Sequence, residues 1–412
     1  MPIEKPRSRL KLVLPALWVV LVLILLCDAK LWRPGELLTI KENIQIAEAQ
    51  AWWQGRLDLP ERKWDAALFQ GKVYSPFPPM FTFMSAAIVP FFGGVPHGFV
   101  SFLIVLPATI LAYALFLNQA RSPWWAAIGA IGLLAGTSAL PVMDKTLRSA
   151  SPYFVNQTLA LGGTLLFLIE YFGRGRVAVM GVALAVAAWS RQLTIVYALP
   201  FIWSAWRPEG ESSRVRRCIW AGCIVVPILV VPLILNALKF GHPLDSGYLY
   251  IYNDRPDDAL SRDARTYGLF SSHFVPRNAY HANVGLPDLH PIQVEGREQF
   301  YLRPNSWGTG IWWTTPLLLW VLFDLRRIWD DPRRRMLLLA ALLANVALLF
   351  YHNTGYQQRG FNRFSLDYVP ALLAFVAPTC FVGWRRWVSL AMVAWSVGYF
   401  AFLIRLPHLR IW

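Results

Sequence analysis

Apolar residues fall along this chain in long blocks separated by short polar joints. Lys5, Arg7, Arg9 and Lys11 precede an apolar stretch over residues 12–27. Further blocks cover residues 99–117, 124–142, 153–172, 218–238, 311–323, 336–350, 366–382 and 387–404. Most approach the roughly 17 to 25 residues that an α-helix needs to cross a bilayer. The stretch 177–206 is apolar except for Ser190, Arg191 and Gln192 at its centre. One long helix would put Arg174 and Arg176 on one side and Arg207, Arg214, Arg216 and Arg217 on the other. A hairpin puts both clusters on the same side, and charge bias favours it, with Arg191 at or slightly below the opposite surface. The pattern predicts an all-α fold, a polytopic transmembrane bundle of about eleven helices. Residues 1–412 would form one membrane domain with outer juxtamembrane helices and a large outer loop.

Composition agrees with a bilayer as solvent. The chain is 56% hydrophobic and only 15% charged, against about a quarter charged in soluble domains. Many of its 20 Trp flank apolar blocks, where an indole meets both headgroups and hydrocarbon. A net charge of +15 would raise the question of nucleic acid in a soluble protein. Here the basic residues gather in short joints, the positive-inside pattern, and no nucleic-acid partner is expected. The basic start before residues 12–27 is like a signal peptide, but no small-residue cleavage site follows it. It reads as an uncleaved first helix with a cytoplasmic N-terminus, in a multi-pass protein of the inner or plasma membrane. Cys27, Cys218, Cys223 and Cys380 lie in or beside apolar blocks, without metal-ligand spacing, and read as packed thiols.

With that orientation, three long segments lie outside: 28–98, 239–310 and about 352–365. Long loops on a rigid scaffold usually carry function. In the first, Ile40, Ile44, Ala47 and Ala51 recur at helical spacing while Lys41, Glu42, Gln45 and Glu48 lie away from that stripe. This predicts a helix lying along the membrane surface and ending at Trp52, Trp53 and Gly55. Glu42 then has two readings. It is a carboxylate ready to take a proton from a hydroxyl, or the partner of Thr39 in a capping box. Downstream, Gly71-Lys72-Val73-Tyr74-Ser75-Pro76-Phe77-Pro78-Pro79 enters residues 80–92 in extended form, and that short apolar segment reads as juxtamembrane or re-entrant. Lys72 and Tyr74 are candidates to meet a lipid phosphate, or are ordinary neighbours of headgroups.

The stretch AEAQAWWQGRLDLP, then Asp65, then GKVYSPFPP resembles the first outer loop of the GT-C superfamily, polytopic glycosyltransferases that use polyprenyl-phosphate sugars. Ala188-Trp189-Ser190-Arg191 is similar to the family's small-residue-then-Arg hairpin. FGHPLDSGY (240–248) is similar to its turn after a middle helix, and GYQQRGFNRFSLDYVPAL (355–372) to its late outer loop. The resemblance implies sugar transfer to an acceptor hydroxyl, whose bearer stays open, on the outer face. Such a donor already carries a good leaving group. The site then needs a carboxylate base and cations for the departing phosphate, and direct attack inverts the anomeric centre. The family often has Asp-Glu or Gly-Asp-Glu-Pro at the start of its surface helix, where this chain has Lys41-Glu42-Asn43. Glu42 is therefore the first candidate base, with Asp65 and Asp144 as alternatives. Arg191, Arg359 and Arg363 are the best phosphate candidates, because a guanidinium forms bidentate contacts.

No cofactor or metal is expected. No Asp-x-Asp occurs, the pair with which many nucleotide-sugar enzymes hold a divalent cation. His273, His281 and His290 match no zinc spacing and read as surface residues. Asn156-Gln157-Thr158 is a sequon in form only, since it abuts a helix. Two other classes compete: an envelope polysaccharide polymerase or ligase, and a transporter or flippase. A transporter calls for internal repeats and charged or broken helices at the midplane. No repeat is visible, and only Arg191 interrupts an apolar block.

Overall fold

The computed structural model describes residues 9–405, apart from 28–33, 121, 207–210, 254, 256–257, 295–296, 304, 306 and 354–359. Among the described residues, four helices are long and apolar enough to cross a bilayer: His97–Leu117, Pro152–Phe172, Arg214–Phe240 within Glu211–Phe240, and Arg385–Arg405. A fifth candidate is the pair Pro123–Leu134 and Ala139–Arg148, bent by 71°. At the bend the Thr137 hydroxyl donates back to the Leu133 carbonyl (2.5 Å) and accepts from the Ala139 N–H (3.1 Å). Gly136 sits there because a Cβ would come within 2.6 Å of the Gly132 carbonyl and 3.0 Å of Ser396. Shorter apolar helices, Lys11–Leu26, Met80–Phe92 and Val177–Ser190, complete the bundle's apolar surface.

Two further predicted blocks are, like 124–142, not single helices. Residues 311–323 break into Ile311–Thr314, Pro316–Leu318 and Leu319–Phe323. Pro316 has no N–H and pushes Thr315 out of helical geometry, to φ −134° and ψ 64°. Residues 366–382 are helical over Val369–Val376, preceded by a tight turn at Arg363–Asp367.

The stretch 177–206 doubles back. Val177–Ser190 ends at an extended Arg191, and the chain returns through Gln192–Tyr197 and Ala198–Trp206. Both ends of the stretch meet the start of Glu211–Phe240. Arg217 donates to the Gly175 carbonyl (3.2 Å), and the Arg214 guanidinium lies 5.6 Å from the Trp206 ring. Arg191 is thus at the opposite end of the bundle from Arg176, Arg214 and Arg217. Small residues bring these helices close, as packing within lipid requires. A Cβ on Gly163 would meet the Ala183 carbonyl at 2.7 Å.

The first long segment corrects the expected surface helix. The helix is Ile44–Trp53, and its N-cap is Asn43, whose side-chain Oδ1 accepts from the Gln45 and Ile46 N–H groups. Thr39 does not cap this helix: its hydroxyl donates to the Gly35 carbonyl (2.8 Å), and Ile40 and Lys41 pair with Pro96 and Val95. Nor does the helix keep a wet face, since Gln45 and Glu48 are fully buried. Glu48 accepts from the Thr82 hydroxyl (2.7 Å) and forms an ion pair with Lys239, which also donates to the Ser75 carbonyl (3.0 Å). This buried pair ties the first long segment to the second. Its net contribution is small, but stripping one partner from such a pair costs about 3–5 kcal/mol.

The all-α expectation also gives way in detail, to three two-stranded antiparallel ladders among the described residues. Ala67–Phe69 pairs with Lys72–Tyr74 across Gln70 and Gly71, both with positive φ (50° and 74°). A two-residue hairpin loop demands that geometry. Asp288–Val294 pairs with Arg297–Arg303 in the second long segment.

Candidate active site

Where the long segments between helices meet the helix ends lies a cavity of about 540 Å³, within the range of small-ligand sites. The first segment supplies Trp64 and Asp65. The bend and the helix after it supply Lys145, Tyr153 and Asn156, and the hairpin tip supplies Ser190 and Arg191. The second segment adds Tyr248, Tyr252 and Arg255, and the third adds Tyr351, Arg363 and Phe364. Among the described residues the wall therefore carries Lys145, Arg191, Arg255 and Arg363 against one carboxylate, Asp65.

Each arginine is held differently. Arg191 donates to both oxygens of Asp367 (2.7 and 3.3 Å) and lies 4.5 Å from the Phe364 ring. Asp367 is fully buried; it also accepts from Gln157 (3.1 Å), and Tyr197 donates to its carbonyl (2.7 Å). The Arg191 charge is thus compensated from behind. Arg363 opens the turn Arg363–Asp367, which Asn362 caps by accepting from the Phe364 N–H (3.0 Å). Its guanidinium lies 4.7 Å from the Tyr153 ring and 4.8 Å from Phe364. It is 6% exposed, its Nε has no hydrogen-bond partner, and no carboxylate pairs with it among the described residues. Burial, and then the Arg191 charge, pull it down to about 10, so it remains a cation at neutral pH. Aromatic faces offset part of that burial; an anion would offset more.

Asp65 adopts a left-handed backbone, φ 67°, which aspartate tolerates better than most residues. Its carboxylate accepts from the Tyr153 hydroxyl and forms an ion pair with Arg255. Arg255 in turn lies 5.0 Å from the Trp64 ring and 5.6 Å from Tyr252. Burial pushes the Asp65 carboxyl up to about 7, and the Arg363 guanidinium opposes that rise.

The other sequence candidates lie elsewhere. The side chain of Glu42 is 61% exposed and bonded to Lys63 (3.0 Å), beside the Trp64–Asp65 rim but off the wall. Asp144 is buried and paired with Arg148 (2.9 Å), and it does not line the cavity that its neighbour Lys145 lines. Lys72 is exposed on the small hairpin, and Tyr74 packs 5.6 Å from Phe240; neither lines the cavity. Arg359 lies outside the described residues, as does the side chain of His290. His273 stacks on Tyr267 at 3.8 Å. Among the described residues no three His, Cys, Asp or Glu side chains gather as a metal site. Asn156 of the formal sequon is buried and donates to Gln45 (2.8 Å). Sequence reasoning missed Arg255, Lys145, Asp367 and the tyrosines. Asp367 stood within the quoted late-loop motif; nothing local set Arg255 apart.

No family model and no curated protein matches the sequence. Solved structures do. The crystal structure of the Archaeoglobus fulgidus oligosaccharyltransferase in the apo form superposes with a TM-score of 0.51 at 12% identity, over 96% of this chain and 56% of that chain. The archaeal oligosaccharyltransferase AglB from Archaeoglobus fulgidus, in complex with an inhibitory peptide and a dolichol-phosphate, gives 0.47 at 12% identity, over 94% and 55%. The chain thus spans about half the length of the structures it matches. At that identity the first likeness is one of fold: the chain shares its fold with about half of that oligosaccharyltransferase.

Proposed function

We propose that the chain is a membrane glycosyltransferase that moves a sugar from a polyprenyl-phosphate donor to an acceptor hydroxyl at the outer face. One observation carries this reading: the buried guanidinium of Arg363, without an anionic partner among the described residues, on the wall of an aromatic cavity. A lipid-borne phosphate would supply the missing charge. Asp65 takes the proton of the acceptor hydroxyl, whose oxygen attacks the anomeric carbon. The bond from that carbon to the phosphate oxygen breaks, and the phosphate leaves with the electron pair, held by Arg363 and Arg191. Direct displacement inverts the centre, and no metal is assigned a part. The lining comes from outer segments and the helix ends beside them, which favours an enzyme over a transporter.

The test is a panel of radiolabelled undecaprenyl-phosphate sugars offered to the protein in membranes. Label is expected to pass to an acceptor and to do so equally in EDTA. Transfer from none of the panel, with no binding of bare undecaprenyl phosphate, would refute the reading.

The proposal includes the orientation: about eleven crossings, with the N-terminus and the joint at 207–217 in the cytoplasm of a cell membrane. It rests on Arg176, Arg214 and Arg217 gathering at the end opposite Arg191. In a background whose native cysteines are alanine, a cysteine at the exposed position Arg216 should resist an impermeant maleimide in intact cells and react after lysis. Labelling of intact cells would reverse the topology.

A further inference from the structure

The three arginines on the cavity wall differ in what each would leave behind on moving. Arg191 cannot move cheaply, because Asp367 behind it is fully buried and would lose both its bonds to the guanidinium. Arg363 has no carboxylate to leave among the described residues. Arg255 has Asp65, and Asp65 would not be stranded: it keeps the Tyr153 hydroxyl, feels the Arg363 charge, and lies on the cavity wall. Asp65 and Arg255 also belong to different outer segments, so parting them breaks no helix or strand. The rings of Trp64 and Tyr252 lie beside the guanidinium at 5.0 and 5.6 Å. They hold a cation by its face, without fixed hydrogen-bond directions, and let it shift.

The same contact limits Asp65. A carboxylate in an ion pair is a poor proton acceptor, since the guanidinium stabilises its charged form. The donor's phosphodiester offers Arg255 a second anion, with two non-bridging oxygens for its fork, and the monoester left after transfer carries more charge still.

We propose that Arg255 is a third phosphate-binding residue, held in reserve by Asp65, which leaves the carboxylate for the donor's phosphate and so frees Asp65 as a base only when donor is present. This rests on the reading of the cavity as the donor site. It orders the reaction, donor before acceptor.

The experiment is a binding cycle on the full chain in phosphatidylcholine nanodiscs, with bare undecaprenyl phosphate as the probe and undecaprenol as the uncharged control. Arg255→Gln is expected to weaken binding about tenfold, the loss of one charge-assisted contact. Asp65→Asn is expected to tighten binding about tenfold, because it releases Arg255 from its competitor. In the double variant the Asp65→Asn gain should vanish. Simple repulsion between Asp65 and phosphate predicts the reverse, an equal gain in the Arg255→Gln background. Arg255→Lys, which keeps the charge without the fork, should fall between wild type and Arg255→Gln, and guards against misfolding of the glutamine variant. Unchanged affinity in Arg255→Gln, or an equal gain from Asp65→Asn in both backgrounds, would overturn the proposal while leaving the donor-site reading intact. A wild-type protein that does not prefer undecaprenyl phosphate to undecaprenol would overturn that reading and this one with it.

Discussion

Asp65→Asn is expected to lower sugar transfer by about 10² to 10⁴-fold, the usual loss with a general base, while bare lipid phosphate still binds. Asparagine keeps the size of the side chain and can still accept from Tyr153, so the loss reports the missing charge. Glu42→Gln should transfer sugar at close to the wild-type rate, because Glu42 bonds Lys63 on the exposed rim. Asp144→Asn weakens the Arg148 pair and should act on stability before rate. The pH profile is a second signature. The base must be deprotonated, and burial lifts Asp65 to about 7, so kcat/KM should rise as pH passes through that region. The residual activity of Asp65→Asn should lack that limb. Should Glu42→Gln abolish transfer and Asp65→Asn spare it, the base lies on the rim and the cavity reading needs rebuilding. Full activity in all three would remove the carboxylate mechanism.

Arg363→Ala should abolish donor binding without harming the fold. Charge-assisted hydrogen bonds contribute roughly 1.5–3 kcal/mol each, so losing a two-pronged contact costs about 10² to 10⁴ in affinity for undecaprenyl phosphate. The ligand-free variant should unfold at the same temperature as wild type or higher, because the alanine removes a buried cation that no carboxylate offsets among the described residues. A structural arginine would behave in the opposite way, with alanine lowering thermal stability and sparing affinity. Arg363→Lys should recover part of the binding, having charge but no fork. Arg191→Ala is a poorer test, since it strands Asp367 in the interior.

The sequence made the hairpin legible because three polar residues at 190–192 interrupt an apolar stretch flanked on both sides by arginines. Both signals are local, and the fold obeys them. Arg191 and Arg363 were legible for a related reason: a guanidinium next to apolar blocks needs an explanation. The polar side of Ile44–Trp53 misled, because Gln45 and Glu48 look like a wet face until their partners are known. Those partners, Pro78, Asn156, Thr82 and Lys239, lie between 33 and 191 residues away. Periodicity measures which residues share a face, but not whether that face meets water or a buried amine. Asp65 was weighed only as an alternative, in a short polar stretch without periodicity. What distinguishes it is a left-handed backbone and a contact with Arg255, 190 residues on.

The hairpin arms are short. Val177–Ser190 has 14 residues, about 21 Å of helix against a hydrocarbon layer of about 30 Å. In the proposed orientation, with Val177 at the inner boundary and the arm along the membrane normal, the tip stops about 9 Å beneath the outer boundary of that layer, and Arg191, Ser190 and the cavity sit at that depth. The outer leaflet must dimple toward the tip, as bilayers do around a short hydrophobic segment. A lipid diffusing in that leaflet then carries its phosphate down to the arginines by following the slope, with its prenyl tail never leaving hydrocarbon. The water-borne partner of the reaction makes the longer journey, and local bilayer thickness becomes a variable that sets the rate.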